Sequence, residues 1–219
     1  MKTIKTMSTL ACAAALMVAG SASAGVIGSS TTPVAIQDPS GGVPYVAQST
    51  ITVGSHGSIA GLSVSIAAEH TWIGDLIYTL SHGGTTVTLM DRPGRVSSGV
   101  GDSSNLSNAR PLVFSDTASL PAETIGATCT GGDDTVGIGA ACLNTAFLSH
   151  QALSAFAGAD MFGDWTLSIS DNEMGDRGML AGWSLSAADA TTQVPEPGML
   201  ALLGLAMSGM FAARRRSPK

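Results

Sequence analysis

Apolar and polar side chains alternate along most of the middle of the chain. The alternation is clearest over residues 50–53, 62–67, 76–80, 87–90 and 165–170. A period of two places every second side chain on the same face, so each segment predicts a half-buried β-strand.

Two hairpins are predicted between neighbouring strands. The first joins residues 76–80 to 87–90 through a turn that contains Gly83 and Gly84. The second joins residues 165–170 to a last strand at 180–185 through a polar turn. Apolar alternation on both sides of a short glycine-containing turn is the usual hairpin signal.

The interior of the chain is predicted to be all-β. No long segment between the two chain ends shows the 3.6-residue apolar period, and only Asn144 to Phe156 predicts a short helix. Short strands separated by Gly, Ser and Asp turns favour an antiparallel sandwich or barrel. Residues 92–109 and 128–143 are rich in Gly, Ser, Asn and Asp, and are predicted to be long surface loops at one rim.

The first 24 residues have the pattern of a secretory signal peptide. Lys2 and Lys5 precede an apolar run, which ends in the small residues Ala22, Ser23 and Ala24. This order predicts export and cleavage after Ala24. Residues 25–44 are then expected to form an N-terminal linker before a domain at 45–190.

The other end of the chain carries a second apolar segment. Residues 198–213 contain no charge and are followed by three arginines at 214–216. Sixteen residues are slightly fewer than the roughly 17 to 25 of a usual spanning helix. The adjacent arginines nevertheless favour a short transmembrane helix with the domain outside the cytoplasm.

A proline-rich motif immediately precedes this segment. Together with the apolar helix and the arginines, residues 194–219 resemble the PEP-CTERM sorting tail of Gram-negative surface proteins. The resemblance implies that an exosortase-type membrane protease recognises and removes the tail. The protein would be held briefly in the inner membrane and then reach the cell surface or matrix, where exopolysaccharide or another surface protein is the expected partner. The recognition residues would be Pro195, Glu196 and Pro197.

The interior of the chain is strongly acidic. Residues 25–193 contain four arginines, no lysine and fifteen acidic residues, a net charge of −11. Such a surface repels nucleic acid and anionic lipid, so neither is an expected partner. Cations are the favoured charged partners, and calcium is the cofactor that the sequence predicts.

One predicted turn concentrates oxygen ligands suited to calcium. Asp171, Glu173 and Asp176 lie close together there, and Asp75 and Asp116 would join them if strand ends converge. The same aspartates are equally suited to cap backbone groups of the turn, and both interpretations stay open. Cysteines 129 and 142 are expected to form a disulfide, which would stabilise the domain by about 3 kcal/mol.

The central region also resembles the P domain, or Homo B domain, of kexin-like and furin-like proprotein convertases. Its first stretch has the order His, Gly-Asp-Leu and Gly-Thr, and its second has Gly-Asp-Trp followed by Trp-Ser-Leu. His82 departs from this pattern, since the family usually has proline there. The resemblance implies a jelly-roll β-sandwich, also described as galactose-binding-like. The residues that carry it are His70, Gly74, Asp75, Leu76, Gly84, Thr85, Gly163, Asp164, Trp165, Trp183, Ser184 and Leu185.

The expected function is non-catalytic. Convertases keep their catalytic residues in a separate large domain, and a triad of His70, Asp91 and Ser103 is disfavoured because order alone does not make a triad. Two alternatives remain: an accessory domain that assists a subtilisin-like protease in trans, and a calcium-dependent carbohydrate-binding module. Trp165 and Trp183 alternate inward and are predicted to be core residues.

Overall fold

The computed structural model describes residues 24–129, 135–136 and 145–189. The predicted signal peptide before Ala24, the sorting tail and Cys142 lie outside the described residues. None of the described helices is long and apolar enough to cross a membrane.

Eleven strands and a few short helical turns make up the described part of the chain. A five-residue helix, α1, spans Ile125–Cys129, and single 3-10 turns span Ile73–Asp75, Ala122–Thr124 and Leu153–Phe156. The strands are β1 (Gly25–Ser30), β2 (Val34–Ile36), β3 (Tyr45–Val53), β4 (Ile59–His70), β5 (Leu76–His82), β6 (Thr85–Asp91), β7 (Leu112–Ser115), β8 (Leu120–Pro121), β9 (Ala146–Leu148), β10 (Gly163–Asp171) and β11 (Gly178–Asp189).

The strands form two sheets. One follows the order β1-β11-β4-β7-β9-β8, with β2 also paired to β11, and the other follows the order β3-β10-β5-β6. All strand pairs are antiparallel except those of β9 with β7 and β8. The all-β prediction is therefore confirmed.

The core lies between the two sheets. Alternate residues of both sheets are buried in one apolar cluster, as a period of two requires. Trp165 of one sheet is fully buried and Trp183 of the other is 4% exposed, so the prediction of two core tryptophans is confirmed. The Trp183 indole Nε1 donates to the Ser49 hydroxyl at 2.9 Å, a hydrogen bond that joins the two sheets.

The first predicted hairpin is confirmed and the second is wrong. Strands β5 and β6 pair with each other from Ile77 and Asp91 to His82 and Thr85. Strands β10 and β11 do not pair, because β10 lies between β3 and β5 while β11 lies beside β4 in the other sheet. The alternation of apolar residues predicts a strand but does not specify its neighbour.

The predicted linker at 25–44 is also wrong in part. Residues 25–30 and 34–36 are strands β1 and β2, and both pair with β11. Strand β1 lies at the edge of its sheet, where three of its six residues are exposed and none is fully buried, so its sequence lacks the apolar alternation of an inner strand. The predicted short helix at 144–156 is a strand at 146–148 followed by a 3-10 turn at 153–156.

Candidate functional site

Charged side chains are buried together where four strands begin or end. His70 closes β4, Asp75 precedes β5, Asp171 closes β10, and Arg92 follows β6. We refer to these residues, with Glu173 and Asp176 of the β10–β11 turn, as the acidic corner. His70, Asp75 and Arg92 are at most 5% exposed, and Asp171 is fully buried.

His70 and Asp171 form a buried pair. The imidazole Nε2 lies 3.3 Å from an Asp171 carboxylate oxygen, and Nδ1 lies 3.2 Å from the backbone nitrogen of Trp72. Nδ1 also lies 3.0 Å from the Trp72 carbonyl oxygen, so it either accepts from the Trp72 amide or, when it carries a proton, donates to this carbonyl. Both nitrogens of His70 are therefore engaged in structural hydrogen bonds.

Asp75 is the least satisfied group in the corner. Its Oδ1 has no hydrogen-bond partner in the described residues. Burial raises the pKa of Asp75 to about 7, and the neighbouring carboxylates of Asp171 and Asp176 contribute to the increase. A carboxyl with such a pKa stays protonated at pH values where an ordinary aspartate has lost its proton.

Arg92 supplies the positive charge of the acidic corner. Its Nη2 donates to Glu173 at 2.7 Å and lies 4.0 Å from Asp75 Oδ1, while Nε donates to the Gly74 carbonyl at 3.0 Å. Arg92 adopts φ +47°, a left-handed conformation that few residues other than glycine take. Sequence reasoning missed this role, although Arg92 is one of only four basic residues between 25 and 193.

The structure brings four of the five predicted calcium ligands into one corner. Asp75, Asp171, Glu173 and Asp176 lie there, but no three Asp, Glu, His or Cys side chains of the described part are arranged to hold a metal ion. Three of the four already have partners. Asp171 pairs with His70, Glu173 accepts from Arg92, and Asp176 accepts from the Thr71 hydroxyl at 2.5 Å.

Asp116 lies elsewhere. Its neighbour Ser115 pairs with Ser63, seven residues before His70 on β4, which corresponds to about 23 Å along the strand. The two carboxylate oxygens of Asp116 accept from the backbone amides of Leu153 and Ser154 at 2.8 and 2.6 Å. Asp116 therefore caps the 3-10 turn at 153–156. Capping of backbone groups was the alternative to calcium binding that the sequence left open.

A long loop covers the acidic corner. The backbone of Gly74 lies so close to Gly101 and Asp102 that a Cβ at residue 74 would overlap their backbone atoms. The Trp72 indole donates to the Val100 carbonyl at 3.0 Å, and the Gly74 amide donates to the Asp102 carbonyl at 2.9 Å. The predicted surface loop at 92–109 is thus held against the β4–β5 connection.

The predicted alternative triad does not assemble. His70 contacts Asp171 and the Trp72 backbone, and it has no hydrogen bond to Asp91 or Ser103 within the described residues. Asp91 and Ser103 are exposed while His70 is buried. His70, which would have to act as the base, is therefore not accessible to solvent.

His82 forms a second buried polar site at the opposite end of the sheets. Its Nδ1 and Nε2 lie 2.9 and 2.8 Å from the backbone carbonyl oxygens of Asp164 and Asp160. Carbonyls only accept, so a ring nitrogen that carries a proton donates to the carbonyl that it faces. The ring stacks on Trp165 with a centroid distance of 3.9 Å and an interplanar angle of 3°.

The predicted disulfide remains a prediction. Cys129 is buried at the end of α1. Cys142 lies outside the described residues.

Two family models match the chain. Residues 139–187 match the proprotein convertase P-domain, and residues 193–216 match the PEP-CTERM protein-sorting motif. Both resemblances drawn from the residues are confirmed, with the P-domain match covering the second of its two stretches. No model of a catalytic domain was found, and the sorting motif indicates an exported protein sorted at the cell envelope.

Solved structures of a serine protease are distantly similar. The Aeromonas sobria serine protease in complex with its chaperone is 17% identical, with a TM-score of 0.38, over 72% of this chain and 25% of that chain. The same protease without the chaperone is 15% identical, with a TM-score of 0.36, over 72% of this chain and 26% of that one. This chain thus spans about a quarter of their length. No curated protein matches the chain in sequence.

Proposed function

We propose that the chain is an exported, non-catalytic protein of the cell surface or extracellular matrix. The proposal rests on the combination of a P-domain match with a sorting motif in one chain. An exosortase-type membrane protease sorts and processes it through the tail. The observation that carries the proposal is the order of the parts: the P-domain match ends at residue 187, β11 ends at Asp189, and the sorting motif begins at 193. Only a few residues separate the folded domain from the processing signal.

The working part would be a jelly-roll P domain. Successive long strands alternate between the two sheets: β3 and β10 belong to one sheet, and β4 and β11 to the other. Two antiparallel sheets that share a core and exchange strands in this way favour a jelly roll. Strands of this kind provide a rigid support for the loops at their ends, where binding residues usually lie.

A non-catalytic role is supported by the state of the acidic corner. The His70–Asp171 pair resembles the base and orienting acid of a hydrolase, yet both side chains have no exposed surface. A general base must reach the proton that it removes from a substrate. His70 instead fixes the ends of β4 and β10 to each other.

Calcium binding is a separate proposal for the same corner. The unpartnered oxygen of Asp75 favours a cation, whereas the Arg92 guanidinium beside it already supplies one. The carboxylates of the acidic corner are arranged to bind Arg92, whereas a calcium ion needs six to eight oxygen ligands. Calorimetric titration of calcium decides between them, because only an ion site gives a saturable heat change on titration.

Sorting is tested by changing the motif and following the chain in cells. The chain is expressed in a Gram-negative host with an exosortase-type system, and its inner-membrane and surface fractions are compared. Replacement of Pro195, Glu196 and Pro197 by alanine should leave the chain full-length in the inner membrane. The matched control, Thr191→Ala with Thr192→Ala, changes neighbouring residues outside the matched motif and should be processed normally. Equal processing of both variants would refute sorting through the motif.

A further inference from the structure

A polar hollow lies beside the acidic corner and has no role in the account above. Its volume is ≈ 500 Å³, within the range of ordinary small-ligand clefts. It lies between the loop after β6, the 3-10 turn at Ala122–Thr124 and the residues that follow β9. The side chains that matter are Asp91, Arg95, Val96, Ser97, Glu123 and His150.

Glu123 holds the walls of the hollow together. One of its carboxylate oxygens accepts from the Asp91 amide at 3.1 Å and lies 3.0 Å from His150 Nδ1. Its backbone carbonyl accepts from the Gly94 amide at 3.1 Å. Burial raises the pKa of Glu123. Three separate segments are thus fixed around one side chain, so the hollow is formed before any ligand enters.

Several groups in the hollow retain unused hydrogen-bonding capacity. His150 uses Nδ1 for Glu123, which leaves Nε2 without a partner in the described residues. Arg95 uses Nε for the Gly99 carbonyl, and both of its Nη groups remain. The Asp91 carboxylate and the Ser97 hydroxyl have no hydrogen-bond partner within the described part of the chain. Ser97 adopts φ +57°, a conformation whose cost is tolerated mainly at functional positions.

The mixture of groups selects the ligand class. Arg95 only donates, an ionised Asp91 only accepts, and Ser97 does both. A phosphate would face the carboxylates of Asp91 and Glu123, and a cation would face Arg95. An apolar ligand would find only Val96. Hydroxyl groups donate and accept in turn, so a neutral molecule with several adjacent hydroxyls matches the set best.

We propose that the hollow binds a neutral saccharide unit of a glycan, with Asp91 and Arg95 as its principal contacts. The proposal deepens the proposed function by naming a partner class. It does not depend on sorting, because it concerns the folded domain alone. The hydroxyl of Ser97 has no hydrogen bond to His150 in the described residues, and the proposal assigns binding, with no catalytic step, to the hollow.

The test uses the full chain, purified in a detergent without sugar headgroups. Maltotetraose, a galactotetraose and a mannotetraose are probes, and binding is read by saturation-transfer NMR and calorimetry. We expect at least one probe to bind. Arg95→Ala should weaken its affinity about tenfold, or about 1.4 kcal/mol. Asp91→Asn should have a similar effect. The matched control Arg110→Ala removes an exposed arginine outside the hollow and should bind as the unchanged chain does.

Several results would overturn the site. They are the absence of binding by all three probes, equal affinity of the Arg95→Ala and unchanged chains, and saturable binding of inorganic phosphate in place of the sugars. Unfolding curves of each variant show whether a lost signal reflects lost structure. Hydrolysis of a probe would contradict the non-catalytic function and leave the saccharide site in place, so the two failures are distinguishable.

Discussion

Asp75→Asn tests the electrostatics of the acidic corner. Asparagine has nearly the shape of aspartate but cannot ionise, so the substitution removes one charge from a site that is 2% exposed. The carboxyl it replaces lies beside Asp171 and has an oxygen without a hydrogen-bond partner. The cost of ionising this group should therefore disappear while the packing remains.

The magnitude follows from the pKa. In the unfolded chain Asp75 titrates near 3.8, and in the folded chain its pKa is about 7. Between these values the folded state holds a proton that the unfolded state has lost, so the free energy of unfolding falls as the pH rises. At about 1.4 kcal/mol for each pKa unit the full effect is slightly more than 4 kcal/mol. Because such a value is good to about a unit, we expect a loss of about 2–4 kcal/mol between pH 4 and pH 8.

Urea unfolding of the processed chain at pH 4 and pH 8 measures the effect. Tryptophan fluorescence is a suitable signal because Trp165 and Trp183 are buried. The unchanged chain should lose stability between the two pH values, and Asp75→Asn should lose much less and be the more stable protein at pH 8. Asp164→Asn, at an exposed carboxyl, is the control and should keep the original pH dependence. If Asp75→Asn keeps that dependence too, the assignment of the proton to Asp75 is refuted.

Three further predictions concern buried charge. Arg92→Met should lower the free energy of unfolding by about 1–3 kcal/mol, measured by urea unfolding, because the Gly74 carbonyl and Glu173 lose their hydrogen-bond donor. His82→Ala should lower it by about 1–3 kcal/mol because the carbonyls of Asp160 and Asp164 lose the donor that His82 supplies, whereas His82→Gln should recover part of the loss. Calcium should raise the melting temperature of Arg92→Met more than that of the unchanged chain, since removal of the guanidinium frees carboxylate oxygens. An equal response of the two chains in thermal melts would contradict competition between Arg92 and the ion.

Local pattern was sufficient to predict some elements. The β5–β6 hairpin and the burial of Trp165 and Trp183 follow from apolar alternation and glycine turns, which are properties of neighbouring residues. Strand β1 was missed because an exposed edge strand needs few apolar side chains. The neighbours of β10 and β11 were mispredicted because pairing depends on contacts distant in sequence.

The candidate site was also predictable from the sequence only in part. The acidic turn at 171–176 was visible as a cluster of residue types, and Asp75 was predicted to join it only if strand ends converge, which they do in the structure. Arg92 could not be placed from sequence, since its contact with Glu173 spans 81 residues. Asp116 resembles the other carboxylates in type but caps a turn on a distant part of the sheet. The sequence shows which residues are charged, but only the fold shows which of them lie close together.

Amine labelling followed by intact-mass measurement tests the central claim of export and tail processing most directly. The chain contains only three lysines, Lys2, Lys5 and Lys219, all outside residues 25–193. A chain cleaved after Ala24 and processed at the tail keeps one primary amine, the α-amino group of Gly25, and should carry one label. Loss of the signal alone would give two labels, and the unprocessed chain would give four. We predict one label on the chain recovered from the cell surface, and two or four labels on that chain would contradict the account.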